Sequence, residues 1–246
     1  MSDYKCEKVL PYESAGSKTE QISEMFDHIA RQYDKMNHLM SLGQDRAWRR
    51  KAIDALADRR PQRVLDVATG TGDFAIAMTQ RLCPKRVLGV DISEEMMKVG
   101  AEKVAAMGLS DVVSFEKDDS LDLHLEDGSF DAVTVAFGVR NFSSLEKGLR
   151  EINRVLVPGG ALAILEMTEP NNPILHLGYK IYTKICLPIM ARFIAKDLKA
   201  YDYLPASIQA FPKDDEMRAL LKNCGFSSVD IKKFTMQTCS FYLACK

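Results

Sequence analysis

Short apolar segments alternate with helical segments through the middle of the chain, and this alternation restricts the fold more than any other feature. We predict five strands, at residues 63–68, 86–91, 112–116, 130–137 and 161–167. Helical segments lie between them, at residues 73–81, 96–107 and 144–156. Apolar strands separated by helices are typical of a parallel sheet that is buried on both faces. The core is therefore predicted to have an α/β fold.

The pattern changes after the fifth strand. A helix at 216–224 is followed by two β-rich segments, 229–235 and 238–244, which could pair as an antiparallel hairpin. The sheet would then have seven strands, most of them parallel. Pro158-Gly159-Gly160 is expected to end the helix that precedes the fifth strand, because Pro and Gly interrupt helices.

We interpret the 246 residues as a single domain with two coverings. Residues 19–60 form a helical N-terminal extension, and residues 170–213 form a lid that is inserted after the fifth strand. The part of the sheet that carries a glycine-rich loop spans 63–169, and the C-terminal helix and hairpin span 214–246. Both coverings are too short to be independent domains.

Composition and charge exclude several classes of protein. Hydrophobic residues make up 46% of the chain and charged residues 27%, which is typical of a folded globular domain. The 33 basic and 34 acidic residues nearly cancel, which argues against a nucleic acid as partner. The six cysteines form no CxxC pair and the four histidines are scattered, so we predict free thiols and no metal site. With no signal-peptide pattern and no long apolar segment, we expect a cytoplasmic protein.

The most specific local motif is Gly70-Thr71-Gly72-Asp73, between the first strand and the first helix of the core. Glycines at such a position allow a ligand to approach the main chain closely. Asp91 ends the next strand, 19 residues after Gly72. A carboxylate at that place can accept hydrogen bonds from both hydroxyls of a ribose. The loop therefore predicts a ligand that contains a nucleoside.

Two ligands match this loop, and a glycine-rich turn without a ligand is a third interpretation. The spacing agrees with the GxGxxA form of the NAD fingerprint, so an NAD(P)-dependent oxidoreductase is one alternative. Asp73 would then meet a pyrophosphate at the start of a helix, which is unfavourable for two anions. A short-chain dehydrogenase would have a Tyr-x-x-x-Lys after its fourth or fifth strand, but that spacing occurs here only near the two ends of the chain, at Tyr4–Lys8 and Tyr242–Lys246. S-adenosylmethionine carries a sulfonium and an ammonium, tolerates nearby carboxylates, and is favoured.

These motifs resemble those of the class I methyltransferases that use S-adenosylmethionine. The match includes the strand–GxG–helix unit, the acidic end of the second strand, the Pro-Gly-Gly turn and the terminal hairpin. In such enzymes an acidic loop after the third strand holds the adenine, and here that loop is Lys117-Asp118-Asp119-Ser120. The resemblance implies these cofactor-binding residues: Gly70, Thr71, Gly72, Asp73, Asp91, Asp119, Ser120 and Ala136.

Further segments are similar to one family, the demethylmenaquinone/ubiquinone C-methyltransferases. They are Met25 to Ala30, Tyr33-Asp34, Asn37, Met40-Ser41, Gly43, Arg46, Trp48-Arg49, Phe137 to Asn141, Glu166, Pro170, Tyr201, Tyr203-Leu204, Ser207-Ile208 and Phe211-Pro212. The match spans about residues 20–246. The chain departs from the family at Asp119-Ser120, where many members have Asn-Ala, and at Ala136, where some have Ser.

This resemblance implies methyl transfer to a ring carbon of a reduced, polyprenylated quinol. The expected reaction converts demethylmenaquinol to menaquinol, and methylation of the benzoquinol precursor of ubiquinone is the alternative. We expect Arg140 to polarise a quinol oxygen or activate a water, Asn141 to orient the ring, and Tyr33 to cap the methyl-donor site. The alternatives are an Arg140–carboxylate pair that holds the loop and a Tyr33 packed in the core.

A basic segment without Asp or Glu covers residues 171–196. Its basic residues are His176, Lys180, Lys184, Arg192 and Lys196, and Pro188 is expected to end or kink the helix. A separate helical face carries Ile174, Leu177, Ile181 and Ile185. Such a helix can lie on an anionic membrane, so we expect peripheral association with the inner face of the membrane. A lid helix packed on the core is the alternative, and the sequence allows a homodimer.

Overall fold

A seven-stranded sheet lies at the centre of the computed structural model. The structure describes residues 4–13, 15–186 and 199–246. For residues 199–202 it describes the backbone only. Its strands are β1 (Arg63–Val67), β2 (Arg86–Asp91), β3 (Val113–Lys117), β4 (Phe130–Ala136), β5 (Leu156–Met167), β6 (Ser228–Phe234) and β7 (Cys239–Cys245). Their order is β3-β2-β1-β4-β5-β7-β6. The first five are parallel, whereas β7 is antiparallel to β5 and β6. The predicted fold class is confirmed.

Eight α-helices surround the sheet in the described ranges. They are α1 (Lys18–Met40), α2 (Gln44–Asp54), α3 (Asp73–Leu82), α4 (Glu94–Ala106), α5 (Leu145–Val155), α6 (Pro173–Ile181), α7 (Lys199–Ala210) and α8 (Asp215–Asn223). Serines begin three of them, because a serine oxygen accepts a hydrogen bond from an otherwise unpaired N–H group of the first turn. Ser17, Ser93 and Ser144 do this for α1, α4 and α5.

The strands are apolar on both sides because each side packs into a separate core. In β1, Leu65 and Val67 face one core with α5 and α8, whereas Val64 faces the other with α2 and α3. Val133 and Ala132 of β4 divide in the same way. The continuous apolar runs in the sequence therefore correspond to strands that are buried on both faces.

The Pro158-Gly159-Gly160 segment does not separate α5 from β5, contrary to the sequence prediction. The helix ends at Val155 and the strand begins directly at Leu156, so the segment lies inside β5. Phe130 pairs with Leu156 and Ala132 with Ala161, which places a register shift at these residues. Gly159 has a φ of +77°. Irregular positions in a strand accept Pro and Gly without ending the strand, which explains the difference.

Helix α1 of the N-terminal extension, with α6 and α7 of the described part of the insertion, lies over the carboxyl edge of the sheet. Helix α1 hydrogen-bonds the segment after β2, where Ser23 Oγ donates to the Ile92 carbonyl (3.1 Å) and Ser93 Oγ donates to Asp27 (2.6 Å). Helix α6 continues into one π-helical turn, Tyr182–Cys186. None of the helices in the described ranges combines the length and the apolar character that crossing a bilayer requires. Pro188, Arg192 and Lys196 lie outside the described residues.

Candidate active site

The glycine loop after β1 is held in place by Asp91 at the end of β2. Gly70 N–H donates to Asp91 Oδ2 (2.8 Å) and Ser93 N–H donates to Asp91 Oδ1 (2.9 Å). Gly70 has a φ of +56°, and a Cβ there would lie 3.2 Å from Met96 Cε. Burial raises the pKa of Asp91, although the N–H groups that it accepts oppose the shift. One carboxylate thus joins two loops and also faces a cavity.

This glycine-loop cavity has a volume of about 650 Å³. Seven predicted cofactor or catalytic residues line it: Tyr33, Gly70, Asp91, Asp119, Ser120, Ala136 and Asn141. Its carboxylates are Asp91, Asp118 and Asp119, and the described lining residues include no Lys or Arg. A site with this charge favours a cationic ligand and disfavours a pyrophosphate.

Three predicted cofactor residues, Thr71, Gly72 and Asp73, are not among the described residues that line this cavity. Thr71 Oγ1 donates to Asp34 of α1 (2.5 Å), and Lys103 Nζ lies 2.5 Å from an Asp73 oxygen and 2.8 Å from an Asp34 oxygen. These side chains therefore attach α1 to the glycine loop and to α4.

A second cavity of about 1040 Å³ lies between α1, α2, α6 and α7, and we call it the methionine-lined cavity. Its apolar lining is formed mainly by Met25, Met36, Met40, Trp48, Met167 and Ile208. Its polar lining includes Asn37, Ser41, Asp45, Arg140, Tyr179, Tyr182, Thr183 and Tyr203. An apolar cavity with a few polar groups is suited to a ligand that is largely hydrocarbon.

The two cavities share a wall made by Phe26, Tyr33 and Phe137, which line both. The rings of Phe26 and Tyr33 meet edge to face with their centroids 5.7 Å apart. Burial raises the pKa of the Tyr33 hydroxyl, so it is protonated at neutral pH. The wall is therefore the place where the two cavities come closest to each other. Sequence reasoning found Tyr33 but did not assign Phe26 or Phe137 to the site, although both lie in segments that resemble the family.

Arg140 lies at the methionine-lined cavity in a buried ion pair with Glu166 of β5. Its Nη1 donates to Glu166 Oε1 (2.7 Å) and to the Phe137 carbonyl (2.5 Å), and its backbone N–H donates to Glu166 Oε2 (3.2 Å). Burial alone would lower the pKa of Arg140, but the Glu166 carboxylate raises it, so the guanidinium stays charged. Its buried Nε has no hydrogen-bond partner among the described residues. The sequence analysis gave an Arg140–carboxylate pair as the alternative role for Arg140, and the structure contains such a pair, with Glu166 as the carboxylate that the sequence did not specify.

Asn141 lies on the other side of the wall from Arg140. It lines the glycine-loop cavity, and its Oδ1 accepts a hydrogen bond from Tyr203 Oη (3.0 Å). Tyr203 itself lines the methionine-lined cavity. The pair therefore connects the two cavities through a hydrogen bond.

Asp66 of β1 is buried behind the glycine loop. It accepts hydrogen bonds from Thr69 Oγ1 (2.7 Å) and Thr134 Oγ1 (2.6 Å), and it lines neither cavity in the described part of the chain. Burial raises its pKa to about 6, although the two hydroxyls oppose the shift. The arrangement is that of a structural carboxylate which braces the loop against β4.

Solved structures show which class of protein has this fold. A SAM-dependent methyltransferase from Aquifex aeolicus superposes with a TM-score of 0.55, is 21% identical, and matches 78% of this chain and 88% of its own. A possible histamine N-methyltransferase from Thermotoga maritima superposes with a TM-score of 0.62, is 18% identical, and matches 91% of this chain and 99% of its own. The fold is that of the class I methyltransferases.

Sequence relatives define the family within this class. Residues 14–246 match the ubiE/COQ5 methyltransferase family. A protein of Bacteroides fragilis named demethylmenaquinone methyltransferase is 49% identical over 99% of this chain and 100% of its own length. One of the same name from Thermus thermophilus is 43% identical over 82% of this chain and 91% of its own. The chain belongs to the ubiE/COQ5 methyltransferase family, as its motifs predict.

The buried Asp66 predicts a pH-dependent stability. The folded protein raises its pKa to about 6, above an ordinary value of about 3.9. The stability contributed by the protonated form is complete below about pH 3.9 and is lost as the pH rises through about 6. Relative to Asp66→Asn, the free energy of unfolding of the wild type should fall by up to about 3 kcal/mol across this range. Urea unfolding at a series of pH values measures the difference.

A matched control is Asp131→Asn at the half-buried start of β4. Although partial burial acts in the opposite direction, the N–H groups of Arg63 and Gln62 hold the pKa of Asp131 below its usual value. The ionised Asp131 therefore adds to the free energy of unfolding, and this contribution is lost as the pH falls. Relative to Asp131→Asn, the wild type should become less stable toward low pH. The interpretation of Asp66 would be wrong if the wild type and Asp66→Asn changed in parallel with pH.

Proposed function

We propose that this protein transfers a methyl group from S-adenosylmethionine to a ring carbon of reduced demethylmenaquinone, which forms menaquinol. The observation that carries the proposal is the pair of cavities, one acidic and one apolar, that share a wall of three aromatic residues. Relatives named demethylmenaquinone methyltransferase, which match this chain over nearly its full length, support the choice of a naphthoquinol.

The glycine-loop cavity fits S-adenosylmethionine by its shape and by its charge. A side chain at Gly70 would close the loop against Met96, so the glycine leaves room for a ligand beside the main chain. Asp91 would accept hydrogen bonds from ribose hydroxyls, and Asp119 and Ser120 would hold the adenine. When bound, this cofactor supplies an electrophilic methyl group. Thr71, Gly72 and Asp73 would act indirectly, by holding the loop against α1 and α4.

The methionine-lined cavity would hold the quinol ring and the first part of its prenyl chain. Attack on the methyl group requires electron density at the ring carbon beside a hydroxyl, and loss of the hydroxyl proton to a water would supply that density. The methylated ring carbon would then lose its own proton, which restores the aromatic ring. The Arg140 guanidinium would stabilise the developing phenolate, since it lies at this cavity and its Nε has no partner in the described structure. Glu166 keeps this buried cation paired when substrate is absent.

Tyr33 would position the two ligands at the shared wall. Its ring packs against Phe26 and borders both cavities, so it covers the methyl-donor site and keeps water from it. Asn141 would contact the cofactor rather than the quinol ring, because it lines the glycine-loop cavity. Through its hydrogen bond to Tyr203, Asn141 would still influence the position of the ring.

The reaction can be tested with labelled S-adenosylmethionine and two reduced substrates. Demethylmenaquinol should gain label on its ring, at a higher kcat/KM than the benzoquinol precursor of ubiquinone. Oxidised demethylmenaquinone should gain none, because a quinone has no hydroxyl proton to lose. The proposal would be wrong if only the benzoquinol were methylated, or if the protein bound NAD(P) and not S-adenosylmethionine.

The role of Arg140 is best tested without leaving a buried charge unpaired. Arg140→Ala alone would strand Glu166 and could unfold the protein. The double variant Arg140→Met with Glu166→Gln removes both charges and should fold. Its kcat should fall roughly 100-fold while its affinity for S-adenosylmethionine changes far less. Arg140 does not border the glycine-loop cavity in the described structure, and the backbone N–H at position 140, which donates to Glu166, could still donate to the amide oxygen that Glu166→Gln leaves in place and so hold the turn. Stopped assays and calorimetry measure the two quantities, and an unchanged kcat would remove Arg140 from the mechanism.

We further propose that α6 docks on the surface of an anionic lipid bilayer. Its outward side exposes Ile174 (81%), Leu177 (62%), Ile181 (51%) and, in the π-turn, Ile185 (54%). Lys180 and Lys184 are exposed beside them, and residues 171–196 contain no carboxylate. The opposite side contributes Tyr179, Tyr182 and Thr183 to the methionine-lined cavity. One helix would thus contact both the bilayer and the lipid substrate.

Flotation with phosphatidylglycerol vesicles tests this surface. The triple variant Ile174→Ser, Leu177→Ser, Ile181→Ser should lose most of its vesicle binding, because it removes the apolar area that would enter the bilayer. A control with Met107→Ser and Met236→Ser removes exposed apolar side chains elsewhere and should bind as the wild type does. Equal binding by the triple variant and the wild type would contradict the assignment, as would a wild type that dimerises through this face and ignores vesicles.

A further inference from the structure

A buried carboxylate at the methionine-lined cavity has no role in the mechanism described so far. Asp45, in the first turn of α2, is 1% exposed and lines this cavity together with Ser41. Its Oδ1 accepts a hydrogen bond from Ser41 Oγ (2.7 Å). Its Oδ2 is 2.8 Å from His38 Nδ1 and accepts a hydrogen bond from Arg49 Nη1 (2.7 Å). The two oxygens of a carboxylate offer about four acceptor sites, so Asp45 retains capacity on Oδ1 for one more donor.

The protonation state of this group follows from its partners. Burial would raise the pKa of Asp45, but the hydrogen bond from Ser41 and the charge of Arg49 hold it below its usual value. Arg46 Nη2 lies 3.1 Å from His38 Nε2, which makes Nε2 the acceptor and leaves the proton on Nδ1, directed at Asp45. Asp45 is therefore an ionised acceptor at the edge of an apolar space.

The position of Asp45 relates it to the shared wall and to Arg140. The guanidinium of Arg49, which binds Asp45, lies 5.5 Å from the centroid of the Phe137 ring. Arg140 binds the backbone carbonyl of the same Phe137. Two cations thus approach one wall residue, Arg140 at its backbone and Arg49 at its ring. Arg140 and the Asp45 carboxylate, which Arg49 binds, line the same cavity.

We propose that Asp45 accepts a hydrogen bond from the second hydroxyl of the quinol, the one para to the hydroxyl that faces Arg140. This inference rests on the proposed function and adds a rule of selectivity to it. A reduced quinol has two donors, one for each end of the ring. An oxidised quinone presents only carbonyl oxygens, which a carboxylate repels. Asp45 therefore both orients the ring and selects the reduced form of the substrate.

Two other roles for this cluster fit the geometry less well. His38, Asp45 and Asp73 lie close enough together to hold a metal ion. However, Arg49 Nη1 lies 2.7 Å from an Asp45 oxygen and 4.0 Å from an Asp73 oxygen, so a guanidinium already supplies the positive charge there. A carboxylate in a first helical turn also stabilises the helix, but that role does not require a place on a cavity wall.

The variant Asp45→Asn tests the proposal, because it should change the preference of the protein for the reduced quinol over the oxidised quinone. Its kcat/KM for demethylmenaquinol should fall roughly 10- to 100-fold, as for the loss of a hydrogen bond to a charged group. Its inhibition by oxidised demethylmenaquinone should become stronger, because the amide can donate to a carbonyl. If Asp45 had only a structural role, the substitution would weaken the binding of the quinol and of the quinone to a similar degree. The melting temperature is followed in parallel.

Two controls and one measurement on the wild type complete the design. Asp54→Asn removes an exposed carboxylate of the same helix. It should leave kcat/KM for demethylmenaquinol and the inhibition constant of the quinone unchanged. His38→Gln keeps a donor beside Asp45 and should preserve the preference for quinol over quinone. If Asp45→Asn does not fold, the affinities of the wild type for the two ligands still test the proposal. The wild type should bind the quinone at least about 10-fold more weakly than the quinol.

The outcomes separate this inference from the proposed function. A wild type that methylates demethylmenaquinol but binds quinone and quinol equally well would overturn the role of Asp45 alone. The role of Asp45 would also be wrong if Asp45→Asn kept the wild-type ratio between kcat/KM for demethylmenaquinol and the inhibition constant of the quinone. A wild type that does not methylate the quinol at all would overturn the proposed function first.

Discussion

The buried ion pair between Arg140 and Glu166 is the interaction on which the rest of the site depends. It fixes the turn after β4, and that turn supplies Phe137 to the wall and Asn141 to the glycine-loop cavity. Lys18 Nζ strengthens the turn from outside by donating to the Arg140 carbonyl (3.2 Å). Removing one partner of such a pair typically costs about 3–5 kcal/mol, because a buried charge is left alone. The same pair therefore holds the fold and keeps a cation ready at the cavity.

Helix α1 converts an open sheet edge into two enclosed spaces. It contributes Phe26 and Tyr33 to the wall, and it is attached to the sheet by polar contacts along its length. Near its middle, Asp27 accepts a hydrogen bond from the Ser93 hydroxyl. Asp34, the residue after Tyr33, accepts hydrogen bonds from Thr71 and Lys103. Its buried Ile22 and Met25 also pack with Tyr203 of α7 in a third apolar cluster. Hydrogen bonds to loops and this apolar contact together hold α1 over the two cavities.

Much of the fold and part of the site could be predicted from the sequence, because they depend on local patterns. The strand–loop–helix order, the hairpin and the serine cap of α4 follow from residues that are close along the chain. Gly70 and Asp91 were found because motif spacing locates them at the sheet edge. The Pro-Gly-Gly segment was misplaced because its effect depends on pairing with β4, which only the register reveals. Phe26, Glu166 and Asp45 were not assigned to the site because their partners lie elsewhere in the chain.

By itself, the sequence determined that this chain forms a mostly parallel α/β sheet with a glycine-rich loop and Asp91 at its carboxyl edge, and its motifs identified the family. Only the tertiary structure decided that there are two cavities, which residues separate them, and that Arg140 faces one while Asn141 faces the other. The physical reason is that periodicity and capping are properties of neighbouring residues. A cavity wall is made by side chains from α1, β4 and β5 that meet only when the sheet and its coverings have packed together.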